Sequence, residues 1–188
     1  MAVRHKYFRV SKLFKSINNH GFTVVELAVV IAVISVLVLI AVPQYNGILQ
    51  RSNDTERKTD LTSLSAQLEY YYGRYGGYPT LASLNNSTFR QNNKISSGDN
   101  SSLLADPRNR NVTTLSSTAT PNNAYSYIPE PSGCVSPTDN NGNTVSTAST
   151  ICNRYRLIAR LEDPTDPDKD SSITGSIAYY IKRNASNN

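Results

Sequence analysis

From Phe22 to Val42 the chain reads FTVVELAVVIAVISVLVLIAV, apolar on every face of a helix and interrupted only by Thr23, Glu26 and Ser35. At about 1.5 Å per residue such a run spans roughly 30 Å, the thickness of a bilayer core, and predicts a transmembrane helix. Pro43 follows; it removes an amide donor and crowds the preceding turn, so the helix is expected to kink or loosen there. Beyond it, residues 44–72 become amphipathic. Ile48, Leu49, Leu61, Leu64, Leu68, Tyr71 and Tyr72 form an apolar stripe, while Arg51, Asp54, Glu56, Arg57, Lys58 and Asp60 fall on the other faces. Gly73, Gly76, Gly77 and Pro79 end the helix. The stripe needs cover, from the chain's own sheet or from a separate partner.

Residues 80–123 are rich in Ser, Thr and Asn and read as a long connecting loop with one short helix near Leu81 to Leu84. Three strands are predicted after it, Ala124 to Ile128, Arg154 to Leu161 and Ser172 to Ile181. The second alternates: Tyr155, Leu157, Ala159 and Leu161 face one side, and Arg154, Arg156 and Arg160 face the other around Ile158. One long helix against three closely spaced strands gives an α+β fold with an antiparallel sheet. The organisation is a basic leader (1–21), a membrane helix (22–43), an amphipathic helix half (44–79) and a globular head (80–188).

Charge changes the picture chiefly by where it lies. The 188 residues carry a formal charge of +5 with a pI near 9.2. Five of the 19 basic residues (Arg4, Lys6, Arg9, Lys12 and Lys15) fall in the first 21 residues, which hold no acid, leaving 14 of each sign beyond. The body is neutral, so charge predicts no nucleic-acid partner. The basic flank favours the cytoplasmic side, which places everything after Pro43 across the membrane. His5 and His20 also lie in this leader, so histidine catalysis and His-ligated metals are excluded from the body. Neither a nucleophile-base pair nor a phosphate loop is visible, and no enzyme is expected.

Four features carry candidate chemistry. A carboxylate inside a membrane helix costs about 2.5–3.5 kcal/mol, so Glu26 calls for a cationic partner. Cys134 and Cys152 flank 17 residues of Ser/Thr/Asn/Gly/Pro-rich loop and are expected to pair as a disulfide in an oxidising compartment, the alternative being two buried thiols. Asp163, Asp166, Asp168 and Asp170 crowd the loop before the third strand. The Asp166-x-Asp168-x-Asp170 spacing could offer oxygens to calcium, or could be a solvated acidic turn; an EF-hand is excluded. Tyr70, Tyr71, Tyr72, Tyr75 and Tyr78 cluster at the helix end, for packing or for ligand stacking.

The basic leader, Gly21-Phe22-Thr23-Val24-Val25-Glu26-Leu27 and the apolar run to Pro43 together resemble the class III signal of type IV prepilins and pseudopilins. The resemblance is strongest over residues 20–50. It implies that a prepilin peptidase cuts between Gly21 and Phe22 and methylates the new Phe22 amine, leaving a 167-residue subunit. His20 and the length of the leader depart from the usual pattern. An α-ammonium, which ordinarily titrates at about 7.7–8, would then be the cation available to Glu26, donated by the same chain or by a neighbouring subunit. The assembly residues implied are Glu26, Thr23 and Pro43, with melting of the helix between Ser35 and Pro43 on assembly. Residues 80–123 correspond to the family's αβ-loop, and calcium at Asp166, Asp168 and Asp170 would match pseudopilins of type II secretion systems. The partners implied are identical pilin subunits, the prepilin peptidase, assembly-platform proteins and the membrane. The chain would sit in the cytoplasmic membrane as a single-pass protein before assembly and in an extracellular filament afterwards, in adhesion, twitching motility or DNA uptake. The alternatives are a pseudopilin and a minor pilin.

Overall fold

The computed structural model describes residues 21–96, 101–119, 124–145, 149–172 and 177–185. The basic leader and His20 lie outside the described residues. The chain divides into two units, Met1–Pro43 and Gln44–Asn188. One helix, α1 (Val24–Tyr75), supplies secondary structure to both.

In the first unit the described part of α1 is apolar and uncovered by the chain. Phe22, Val24 and Leu39 are 86%, 85% and 75% exposed, and the neighbouring valines, leucines and isoleucines are at least half exposed. α1 contains a stretch apolar and long enough to cross a membrane.

The second unit is α+β, as expected. β1 (Ser126–Glu130), β2 (Arg154–Arg160) and β3 (Tyr179–Arg183) form an antiparallel sheet in the order β1-β2-β3, with Tyr127 opposite Leu157 and Ile158 opposite Ile181. The alternation foreseen for β2 holds: Tyr155, Leu157, Ala159 and Leu161 are buried, and Arg154, Arg156 and Arg160 remain at least partly exposed. The inner side chains pack with Leu61, Leu64, Leu68 and Tyr71 of α1, so the chain's own sheet covers that stretch of the stripe.

Several expected boundaries move. β1 starts and ends two residues later than predicted, because Pro129 takes a place on an edge strand opposite Tyr155, where no ladder donor is required of it. β3 begins at Tyr179 instead of Ser172. Asp170 turns the chain there: its amide donates to Tyr179 O at 2.7 Å, and its carboxylate accepts from the amide and hydroxyl of Ser172. Residues 173–176 of the predicted strand lie outside the described set.

Residues 80–96 are more ordered than a loop, and the short helix expected near Leu81 to Leu84 forms there. α2 (Leu81–Asn85) is capped by Thr80, whose hydroxyl accepts from Ser83 N at 3.2 Å, and α3 (Ser87–Asn92) by Asn86, whose side-chain Oδ1 accepts from Phe89 N at 3.0 Å. Both caps release chain segments whose few apolar residues, Leu84, Phe89, Ile95 and Leu104, are fully buried in the core. Phe89 and Ile95 are too isolated in sequence to show a period, which is why the chain beyond the short helix expected near Leu81 to Leu84 reads as a loop.

Candidate assembly site and the charged end of the head

α1 begins with a reciprocal cap. The Thr23 hydroxyl accepts from Glu26 N at 3.2 Å and donates to Glu26 Oε2 at 2.8 Å, and Thr23 N donates to the same oxygen at 2.9 Å. This is a T-x-x-E capping box, which satisfies two amides at the helix start and places an acid against the positive end of the helix dipole. Glu26 thus has a partner within the chain that the sequence reading did not consider, the hydroxyl and amide of Thr23. Gly21 and Phe22 precede the cap in non-helical, exposed backbone. The first helical hydrogen bond runs from Leu27 N to Thr23 O at 3.2 Å, so the Gly21–Phe22 peptide lies outside the helix ladder.

Residues 17–42 match the family described as the prokaryotic N-terminal methylation motif. The chain carries that motif. It is also similar to the type IV major pilin protein PilA of Myxococcus xanthus (strain DK1622), with 34% identity over 65 residues that cover 35% of this chain and 30% of that protein. The chain therefore matches less than a third of that relative's length. No solved structure matches the chain. Both likenesses are partial: the motif covers residues 17–42, and the similarity to a major pilin covers about a third of the chain.

Downstream of the capping box, Ser35 Oγ donates to Ile31 O at 2.7 Å, a back-bond of the kind that slightly weakens a helix. α1 nevertheless continues as helix through Pro43.

Cys134 and Cys152 are joined by a disulfide. Around it Val135 N donates to Thr150 O at 3.0 Å and Cys152 N to Val135 O at 3.1 Å, so the two ends of the loop run side by side. The tyrosines divide. Tyr71 and Tyr78 are buried in the core, with Tyr71 5.8 Å from Phe89 and Tyr78 4.7 Å from Tyr155 between ring centroids, whereas Tyr70 and Tyr72 remain exposed.

The acidic loop is neither bare nor simply solvated. Lys58 of α1 reaches it, with Nζ 2.6 Å from Asp166 Oδ1 and 2.8 Å from Asp168 Oδ2. Burial works against the Lys58 charge, but the two carboxylates outweigh it and raise the ammonium's pKa. Asp170 pairs with Arg183 at 2.9 Å. The three calcium candidates are thus served by the chain's own cations, and no cluster able to hold a metal occurs among the described residues.

The site that the sequence reading missed lies one turn before Lys58. Asp54 and Arg57, assigned to polar faces, are each only 1% exposed. Arg57 donates to Asp54 Oδ1 at 2.7 Å and to both oxygens of Asp106, and its Nη1 lies 3.0 Å from Glu162 Oε1. Asp54 in turn accepts the amides of Glu162 and Asp163 at 2.9 Å each, and Arg108 and Asn53 close on Glu162. Burial opposes both charges. The facing groups prevail: the three carboxylates push the Arg57 pKa up, and Arg108, Asn53 and Arg57 hold the Glu162 carboxyl at about 2. The signal was present in the spacing, since 54, 57, 61, 64, 68 and 71 step by three and four and all six are buried. In contrast, Ile48, Leu49 and Tyr72 of the expected stripe are exposed. The buried face thus starts at a charged pair that joins α1, the Asp106 turn and the end of β2.

Proposed function

We propose that the chain is a structural subunit of a type IV pilus, cut between Gly21 and Phe22 by a prepilin peptidase that also methylates the Phe22 amine. The observation that carries the reading is Glu26, the sole charged side chain between Phe22 and Val42, held in the first turn of a helix whose apolar surface the chain itself leaves bare. In a membrane that surface faces lipid; in a filament it faces identical helices, so one apolar surface serves both states. Cleavage makes an ammonium at Phe22, one residue before the Thr23 cap, and the carboxylate of Glu26 can exchange its Thr23 hydroxyl for the Phe22 amine of a neighbouring subunit. An ion pair that closes only when two helices are in axial register sets the position of the incoming subunit. Pro43 and the Ser35 back-bond mark the part of α1 that can loosen as subunits pack.

On this reading the chain waits in the cytoplasmic membrane as a single-pass protein, is handed to assembly-platform proteins, and ends in an extracellular filament that serves adhesion, twitching motility or DNA uptake. The similarity to a major pilin supports the pilus over a type II secretion pseudopilin. Intact mass and N-terminal sequencing of sheared surface fibres test it: the expected material begins at methylated Phe22 and retains the disulfide. A chain beginning at Met1, or short periplasmic assemblies in place of surface fibres, overturns it. Glu26→Val is expected to insert and be cut normally yet yield few fibres; normal fibre yield removes the register role.

A further inference from the structure

We propose that the Asn141–Gly142 peptide is a self-modifying site, at which the Gly142 nitrogen closes on the Asn141 side chain, expels ammonia and leaves aspartate or isoaspartate at position 141, with Asp139 as the brake. The chain holds two Asn-Gly pairs, Asn46–Gly47 and Asn141–Gly142. Both asparagines are exposed, so access does not distinguish them. Backbone does. Asn46 and Gly47 lie inside α1, where the amide of each residue is held by the carbonyl four residues back and cannot swing onto the preceding side chain. Asn141 and Gly142 occupy a turn between the bridged residues Thr138 and Thr144, with Gly142 at φ +83° and no Cβ to shield its nitrogen.

The chemistry needs only water. A bond forms between Gly142 N and Asn141 Cγ, the Cγ–Nδ2 bond breaks, and the amide proton departs with that nitrogen as ammonia. Water then opens the five-membered imide at either carbonyl. Opening at the main-chain carbonyl yields isoaspartate, with one extra methylene in the backbone; opening at the side-chain carbonyl yields aspartate. No electron changes hands.

Asp139 restrains the step because it holds the backbone on both sides of the reacting bond. Its Oδ1 accepts from Asn141 N at 2.8 Å and Asn143 N at 2.9 Å, its Oδ2 accepts from Asn143 Nδ2 at 3.1 Å, and its carbonyl holds Gly142 N at 3.1 Å. Ring closure requires Gly142 N to leave that carbonyl and Asn141 to rotate, so reaction proceeds from a briefly opened turn. The product adds a negative charge beside Asp139 and beside Asn140, whose carbonyl accepts from Asn92 Nδ2 of α3 at 3.1 Å. Conversion is irreversible, so it records elapsed time on an exposed turn. It does not depend on the pilus reading.

The test is to incubate the detergent-solubilised full chain in mildly alkaline buffer and follow the one-dalton gain by peptide mass spectrometry. Asn141 is expected to convert roughly tenfold or more faster than Asn46, since opening a helix interior costs more than opening a surface turn. Asn141→Gln should abolish the gain in that peptide, and Asp139→Ala should accelerate it several-fold while the fold, read by circular dichroism, is retained. Conversion of Asn141 no faster than that of Asn46 overturns the proposal. Asp139→Ala keeps the main-chain carbonyl and removes the carboxylate, so an unchanged rate overturns the role of the Asp139 side chain.

Discussion

Arg57 and Asp106, forty-nine residues apart, meet as a two-pronged pair, Nε to Oδ2 at 2.7 Å and Nη2 to Oδ1 at 2.8 Å, with both side chains at most 2% exposed. Such a pair stabilises little in sum, because desolvation offsets much of the attraction, but breaking it on one side leaves buried charge without compensation. Arg57→Leu strands Asp54 and Asp106 and is expected to cost about 3–5 kcal/mol. Arg51→Ala, whose pair with Asp163 is 3.9 Å long and largely exposed, should cost well under 1 kcal/mol. Thermal unfolding of the two variants checks the contrast, and equal shifts would refute it.

Acid should act on two carboxyls in opposite directions. Burial pushes Asp60 up to about 6, against the hydrogen bond from Tyr125 OH at 2.8 Å. A carboxyl whose folded pKa lies above its unfolded value penalises the fold when ionised, so stability rises as pH falls from about 6 towards 3.8. The gain should be about 1–2 kcal/mol once solvent screening at this half-buried site is allowed for. Glu162 is the reverse case: burial resists its charge, but Arg108, Asn53 and Arg57 hold it at about 2, so the stability it contributes is full above 4.5 and is lost as pH falls towards 2. Asp60→Asn should remove the rise between pH 7 and 5 and leave the loss at lower pH intact. Melting temperatures across that range decide it.

Lys58 fills the place that a cation would take between Asp166 and Asp168. Calcium is therefore expected to leave the melting temperature unchanged, because binding would first have to displace a tethered ammonium. Lys58→Met should lower stability by about 1 kcal/mol, the size of a partly exposed charge network, and loosen the Asp163–Asp170 loop to proteolysis. A calcium-dependent rise in the melting temperature of the unaltered chain would contradict this assignment.

What could be read in advance follows from how far each interaction reaches along the chain. The membrane segment and the alternation of Tyr155, Leu157 and Ala159 are local patterns, repeated over enough residues to reveal their period. The Cys134–Cys152 bridge was legible from only two cysteines and a loop between strands. By contrast, Asp54 and Arg57 look solvated in any local window, because the groups that hold them lie far along the chain: Asp106 is 49 residues beyond Arg57, and Asp54 accepts the amides of Glu162 and Asp163, 108 and 109 residues on. Their place on the three-four spacing was visible, yet charge outweighed spacing in assigning the face. Phe89 and Ile95 were lost for the opposite reason, as single apolar residues in a polar stretch. The capping box of Thr23 and Glu26 was also legible, but it was overshadowed by the search for a cationic partner.

Gly77 ties the helix end to the disulfide, and a single methyl should expose that dependence. A Cβ at this position would sit 3.1 Å from Cys152 O and would collide with Ile151 Cγ2, while the adjacent Tyr78 N donates to Cys152 O at 2.8 Å. The side chain of Ile151 can turn aside, but Cys152 O is main chain, held by the hydrogen bond from Tyr78 and by the crosslink to Cys134. Gly77→Ala is expected to cost about 1–3 kcal/mol through overpacking. Removing the crosslink by Cys134→Ser with Cys152→Ser should cost about 3 kcal/mol from the freed loop. Because the freed strand can then move away from position 77, the two effects should not add: the triple variant should be less destabilised than the sum, by about 0.5 kcal/mol or more. Strict additivity in denaturant unfolding would show that Gly77 and the bridge act independently.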